Sequence, residues 1–355
     1  MSGFVGVLHL CSARPSGAHQ HTSSRPARPE ATVRSLATFT PVSQAAADAP
    51  QLSVVIPTLG RSGHLRRALE RLEDQRGGAR YEVIVVVDAQ DREPELVDDA
   101  IGNRPYPVTT LRAQRPGASS ARNRGWRAAR SPLILFMDDD VLAGPRLLAE
   151  HLAWHRRDTE DEVGVLGHIR WARQLHVTPF MRWLERGVQF DYPRIRGIDA
   201  GWGRFYTANV SVKRRMLERT GGFDADRLPF GYEDLDLAYR MSLLGFRLLY
   251  NRRAVAEHLH PMDLDFWKQR VVRLANAERQ FVRMNPGIEP YYYELFSRAL
   301  EAPPASGRGV RLAGIVPRWV PWVGRRVWMS ADLSYRQALA PHFLAAWEGQ
   351  VRSAE

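Results

Sequence analysis

Apolar positions in this chain fall into short runs with abrupt polar ends. LSVVIP (52–57) stops at a proline, VIVVV (83–87) closes on Asp88, and LILFM (133–137) closes on three aspartates in a row. Runs of four to eight β-branched and aliphatic residues predict buried strands, and 108–111 offers a fourth. Between them the apolar spacing lengthens. Leu65, Leu69 and Leu72 share one face of a helix with Ser62 at its cap, and a second helix is predicted over 119–129. Strands that are apolar on both sides, alternating with helices, predict a parallel sheet covered on both faces. In such sheets ligands gather beyond the carboxyl ends of the strands. The loops after Ile56, Val87 and Met137 all lie at that edge.

The pattern changes over 219–240. Gly221, Gly222 and Pro229 shape a loop, and Tyr232-Glu233-Asp234 then enters a helix carrying Leu235, Leu237, Ala238, Met241 and Leu244. Acids in a first helical turn are also what the helix dipole favours. The helix is predicted to end near Gly245, before a strand over 246–250 and the segment AVAEHLHP (254–261). In the C-terminal quarter, 307–329 holds five arginines, three tryptophans and no acid, and Pro317 and Pro321 rule out one continuous helix there.

Composition narrows the chemistry. The 355 residues suffice for one large or two small domains, and the single cysteine, Cys11, excludes an internal disulfide and any multi-thiolate metal site. Residues 1–50 are rich in Ala, Pro, Ser and Arg without periodicity and read as a disordered tail. No run approaches a membrane span and no secretory signal is evident, so a cytoplasmic address is expected. A net charge of +11 implies anionic partners: nucleic acid, lipid headgroups or nucleotide phosphates. Arginine with tryptophan over 307–329 fits either peripheral membrane contact or a basic packing arm.

Asp138-Asp-Asp140 is the main candidate for chemistry. In an extended chain Asp138 and Asp140 point to one side and Asp139 to the other. Two converging carboxylates suit a divalent cation held by oxygen, Mg²⁺ or Mn²⁺. Arg122 and Arg124, on the preceding predicted helix, could assist with phosphate, as could Ser119 and Ser120 at its start, although a solvated basic face is the favoured reading of the arginines. Trp202 and Tyr206 suit sugar stacking or core packing, and Asn209 suits contact with a sugar.

Taken in order, VVIPTLGR, VVVDA, PGASSARNRG, LFMDDDV, ANVSVKRRMLERTGGFD, GYEDLDLAYR and a downstream histidine resemble an inverting glycosyltransferase of family 2 with the GT-A fold. The resemblance covers about 52–261. It implies a nucleotide-sugar donor, a UDP-sugar first, a divalent metal, and transfer to a hydroxyl of a glycan, lipid-linked or small-molecule acceptor; no specific nucleic acid is expected. It places Pro57, Thr58 and Arg61 near the nucleobase, Asp88 on base or ribose, and Asp138 near ribose and metal with Asp139 and Arg122 in the donor site. Asp140 becomes the main metal ligand and Asp234 the general base, beside Glu233. His258, 24 residues past Asp234, becomes a further metal ligand, with His260 as the fallback. Ala89 departs from the family pattern, in which an acid or asparagine often follows the position of Asp88. The expected organisation is a tail (1–50), a GT-A catalytic domain (51–290) and a basic, aromatic helical extension (291–355). The alternatives are a sugar-1-phosphate nucleotidyltransferase, against which TLGRSGHL is poor in glycine, and a non-catalytic basic module on the same fold.

Overall fold

The computed structural model describes residues 49–349, so the predicted tail lies outside the described residues. From Pro50 onward the chain forms one compact unit. Its centre is an eight-stranded sheet of order β3-β2-β1-β4-β7-β6-β8-β5. Strands β1 (Leu52–Thr58), β2 (Tyr81–Val87), β3 (Val108–Arg112) and β4 (Leu133–Met137) run parallel, β1, β2 and β4 buried along apolar runs and β3 a partly exposed edge. The connecting helices are α1 (Ser62–Glu73), α2 (Glu95–Ile101) and α3 (Ala118–Ala128). Leu65, Ala68, Leu69 and Leu72 form the buried face of α1. Ser62 is its first helical residue rather than its cap. Arg61 takes the cap position, and its carbonyl accepts from the amides of His64 and Leu65.

Beyond β4 the sheet becomes mixed. Helix α4 (Leu147–Arg157) and strand β6 (Val163–Trp171) lead through α5 (Pro179–Leu184) to β7 (Asn209–Lys213), which pairs antiparallel with both β4 and β6. After α6 (Arg214–Thr220) and α7 (Glu233–Ser242) comes β8 (Arg247–His258). This strand is longer than the five residues expected. It runs parallel to β6 past an irregularity at Gly167/His168. Its far end pairs antiparallel with β5 (Val141–Ala143), the short strand directly after the aspartates, setting Val141 opposite His258.

A second apolar core lies among α5 and four C-terminal helices, α8 (Leu264–Met284), α9 (Tyr291–Glu301), α10 (Arg308–Ala313) and α11 (Val323–Trp347). Trp267, Phe296 and Phe343 are fully buried in it. The break between α10 and α11 contains Pro317 and Pro321, as the sequence predicts. Among the described residues no helix is long and apolar enough to cross a membrane.

Candidate functional site

The predicted residues meet at the carboxyl ends of β1, β2 and β4. Pro57 and Thr58 close β1 opposite Val86 and Val87. The Thr58 hydroxyl donates to Asp139 Oδ2 at 2.8 Å. Arg61, expected near the nucleobase, lays its guanidinium across two aspartates: Nη2 is 2.9 Å from Asp139 and Nη1 2.6 Å from Asp140 Oδ2.

That arrangement corrects the alternation expected of the aspartates. Residues 138–140 form a turn closed by the Val141 amide on the Asp138 carbonyl, so extended-chain geometry does not apply. Asp139 and Asp140 converge on Arg61, and Asp138 turns to Arg122. Burial pushes the Asp139 carboxyl up to about 7, against the pull of Arg61. Asp140 is also buried, yet His258 and then Arg61 outweigh desolvation and hold it below the usual carboxylate range.

Arg122 joins the two acidic motifs. From the first turn of α3 its Nη2 donates to Asp138 Oδ1 and its Nη1 to Glu233 Oε1, both at 2.9 Å. It is buried, whereas Arg124 is exposed, so the solvated-face reading holds only for Arg124. Burial opposes the charge on Arg122, but Asp138, Glu233 and Asp234 together keep it firmly protonated. Asp234, the second residue of α7, follows Glu233 beside this bridge. Burial and the neighbouring Glu233 raise its carboxyl to about 7, with Arg122 opposing. Tyr232 holds the turn ahead of it at φ 61°.

The β5–β8 ladder delivers the histidine. The Leu259 amide donates to the Asp140 carbonyl at 2.8 Å, and His258 Nε2 stands 3.7 Å from Asp140 Oδ1. Trp171 meets the imidazole edge-on at 5.4 Å between centroids. His260 and His64, the latter unforeseen, flank the same corner with ring centroids 6.1 Å apart. Asp140 Oδ1 is buried without a hydrogen-bond partner. An orphaned carboxylate oxygen facing an imidazole nitrogen across 3.7 Å suits a hard or borderline cation, since two bonds of about 2.1 Å can close that span. Among the described residues no three such side chains surround one point. Two protein ligands are enough for Mg²⁺ or Mn²⁺, which complete their shells with water and substrate phosphates.

Other candidates have structural partners. Asp88 accepts from the amides of Gln90 and Gly117 at 2.9 and 2.8 Å, shaping the loops after β2 and β3. Asp91, which sequence reasoning passed over, accepts from the Gly60 amide at 2.9 Å and ties the β1 and β2 loops together. An acid three places past Asp88 was its only signal. Ser119 donates to the Leu228 carbonyl, and Ser120 accepts from the Arg115 amide. Asn209 is fully buried between His151 and the Ala254 carbonyl, so the expectation that it meets a sugar fails. Tyr206 packs on Phe190 and Tyr192, and Trp202 on Tyr239.

Comparison with known proteins bears on the family and the fold. The chain is 28% identical over 298 residues to a validoxylamine A glucosyltransferase of Streptomyces hygroscopicus subsp. limoneus, covering 72% of this chain and 61% of the relative. It is 25% identical over 260 residues to the uncharacterized glycosyltransferase YfnE of Bacillus subtilis, covering 59% of this chain and 65% of the relative. The chain thus spans about three fifths of the length of the curated relatives it matches. Among solved structures, a mannosyltransferase from Pyrobaculum calidifontis in complex with GDP-Man and Mn²⁺ superposes with a TM-score of 0.55 at 19% identity, covering 83% of this chain and 87% of that one. The fold is therefore GT-A. Residues 50–277 match the family described as glycosyltransferase like family 2, so the chain belongs to that family.

Proposed function

We propose that the protein is a metal-dependent inverting glycosyltransferase that moves a sugar from a nucleoside diphosphate donor to an acceptor hydroxyl. The observation that carries this reading is the Arg122 bridge, which sets the Asp234 carboxyl beside the aspartate cluster of β4. The catalytic unit is assigned to 51–290, with 291–355 as an extension. The donor is a UDP- or GDP-hexose, in keeping with a glucosyltransferase relative and a GDP-Man-bound neighbour.

Asp140 and His258 would hold the divalent ion, with Asp138 nearby. When bound, the ion supplies Lewis-acid stabilisation of the leaving diphosphate. Thr58 and Asp139 fix the floor of the donor site, and Arg61 places a positive charge where phosphate oxygens need one. On the opposite face of the sugar, Asp234 accepts the proton of the acceptor hydroxyl as its oxygen bonds to the anomeric carbon. The bond from that carbon to the diphosphate breaks, and the electron pair leaves with the diphosphate. A base raised to about 7 is ionised near neutrality and still basic enough to take that proton.

The test is thermal unfolding of the full chain with UDP-Glc or GDP-Man, with and without Mn²⁺. A donor that binds only the native state raises the melting temperature. We expect a shift that needs Mn²⁺ and is lost in Asp140→Asn. A metal-independent shift of equal size in both proteins would overturn the metal assignment.

A further inference from the structure

Six of the thirteen exposed large apolar side chains among the described residues fall within 312–329. Ile315, Trp319 and Trp322 are each at least 80% exposed, and Leu312, Val323 and Met329 are exposed beside them. All lie between α10 and the first turns of α11, and none belongs to the second core. The segment is nonetheless firmly folded. A Cβ on Gly309 would lie 2.4 Å from Ser330 Oγ, and one on Gly324, in the first turn of α11, 2.5 Å from the Pro317 carbonyl, so α10 meets α11 and α11 meets the 317–318 segment as closely as only glycine allows. Trp328 packs inward and donates from Nε1 to the Val316 carbonyl at 3.2 Å. Trp322 has φ 59°, a left-handed conformation that is unfavourable for any residue with a side chain.

Charge identifies the occupant. Arg308, Arg311, Arg318, Arg325 and Arg326 are all exposed around these side chains, and among the described residues none forms an ion pair. Beside them a cavity of about 430 Å³ is lined by Arg182, Arg186 and Arg318, one acid, Glu185, and Trp171 and Trp319. Trp171 is the residue that touches His258, so the cavity adjoins the candidate site. A second copy of the chain on this face would set arginines against arginines. An anionic headgroup layer neutralises them instead, and tryptophan favours the boundary between headgroups and acyl chains.

We propose that residues 308–329 form a docking surface for an anionic lipid bilayer, with Ile315, Trp319 and Trp322 inserted at the headgroup boundary and the arginines on lipid phosphates. The attachment lies on the membrane without crossing it. Through Trp171, which lines the cavity and touches His258, the proposed metal corner would stand next to that surface.

Flotation of the full chain with phosphatidylcholine vesicles, with and without phosphatidylglycerol, tests this with no donor or acceptor present. Its failure therefore leaves the transferase reading standing. We expect flotation with the anionic vesicles only, weakening as salt rises. Trp319→Ala with Trp322→Ala should lower the partition coefficient by about tenfold or more, and each Arg→Gln at 318, 325 or 326 by about fivefold. These side chains lie outside the core, so the melting temperature of each variant should match the parent and exclude misfolding as the cause. Equal flotation of the double tryptophan variant and the parent would overturn the proposal. So would absence of binding to anionic vesicles, or self-association in sedimentation that the tryptophan changes abolish while vesicles stay unbound.

Discussion

Arg122 shows how much one side chain can organise. A buried guanidinium must find carboxylates, because an unpaired charge out of water is costly. Here its two partners are Asp138, 16 residues away, and Glu233, 111 residues away. The bridge takes up Glu233 and not Asp234, whose carboxyl, raised to about 7, is the base in the proposed mechanism. Transfer should therefore fall as pH drops below about 7, where Asp234 takes up a proton and can no longer accept one. Asp234→Asn should retain donor and metal binding, lose about 10² or more in single-turnover transfer, and show a flat pH profile. A variant with near-parental transfer would move the base to another residue. At this scale the sequence was legible where chemistry is local, in DDD and in YED. It singled out Arg122 for phosphate but gave no sign of the bridge, whose partners are remote, and it was misleading on Asp138 and Asp140, because a tight turn replaced the extended chain.

Helix α8 has a part in the site that lies outside its own sequence motifs. Its Glu278 is fully buried, and burial raises its carboxyl to about 7 against the opposing bonds it receives. Those bonds come from the amides of Tyr292 and Tyr293 at the start of α9, at 2.7 and 2.9 Å, and from the hydroxyl of Tyr232. One carboxylate thus caps α9 and anchors the left-handed residue that opens α7 ahead of Glu233 and Asp234. An amide there would face backbone donors with a donor of its own, so Glu278→Gln should cost about 1–3 kcal/mol of stability. By loosening Tyr232 it should lower the rate of transfer while leaving donor affinity near the parent's. Urea unfolding and single-turnover kinetics would check both, and unchanged transfer would limit Glu278 to a structural part. The parallel strands and two of their helices, α1 and α3, were readable from periodicity, since each packs by its own face, whereas the seven-residue α2 was too short to show one. The antiparallel insertion of β7 and the full length of β8 were not, because pairing partners far apart in the chain determine them.

The whole molecule carries two opposing sets of buried titratable groups. His151 and His155 share the Ser211 hydroxyl at 2.8 Å each, and burial lowers them to about 4 and about 3. The native state keeps them neutral while the unfolded chain protonates them below about 6.5, so their contribution to stability is lost as pH falls from there toward 4. Glu278 and Asp234 act with the opposite sign. Their native carboxyls take up protons near 7, before the unfolded chain does, which adds stability on acidification. His151→Gln should accordingly lose less stability than the parent between pH 6.5 and 4.5, measured by urea unfolding, and parallel profiles would show that His151 is not held neutral.

The ladder between β5 and β8 acts as a ruler. Because Val141 pairs with His258, the distance from the imidazole to Asp140 is counted in residues along a strand and not left to a loop. Adding or removing one residue within 247–258 would turn His258 to the other face of the sheet, since side chains alternate along a strand. An insertion in the exposed turn near Gly245 would leave that count intact. Variation in length among homologous chains should therefore gather outside β8, and a chimera that grafts the acidic turn of this protein onto another scaffold must bring both strands together.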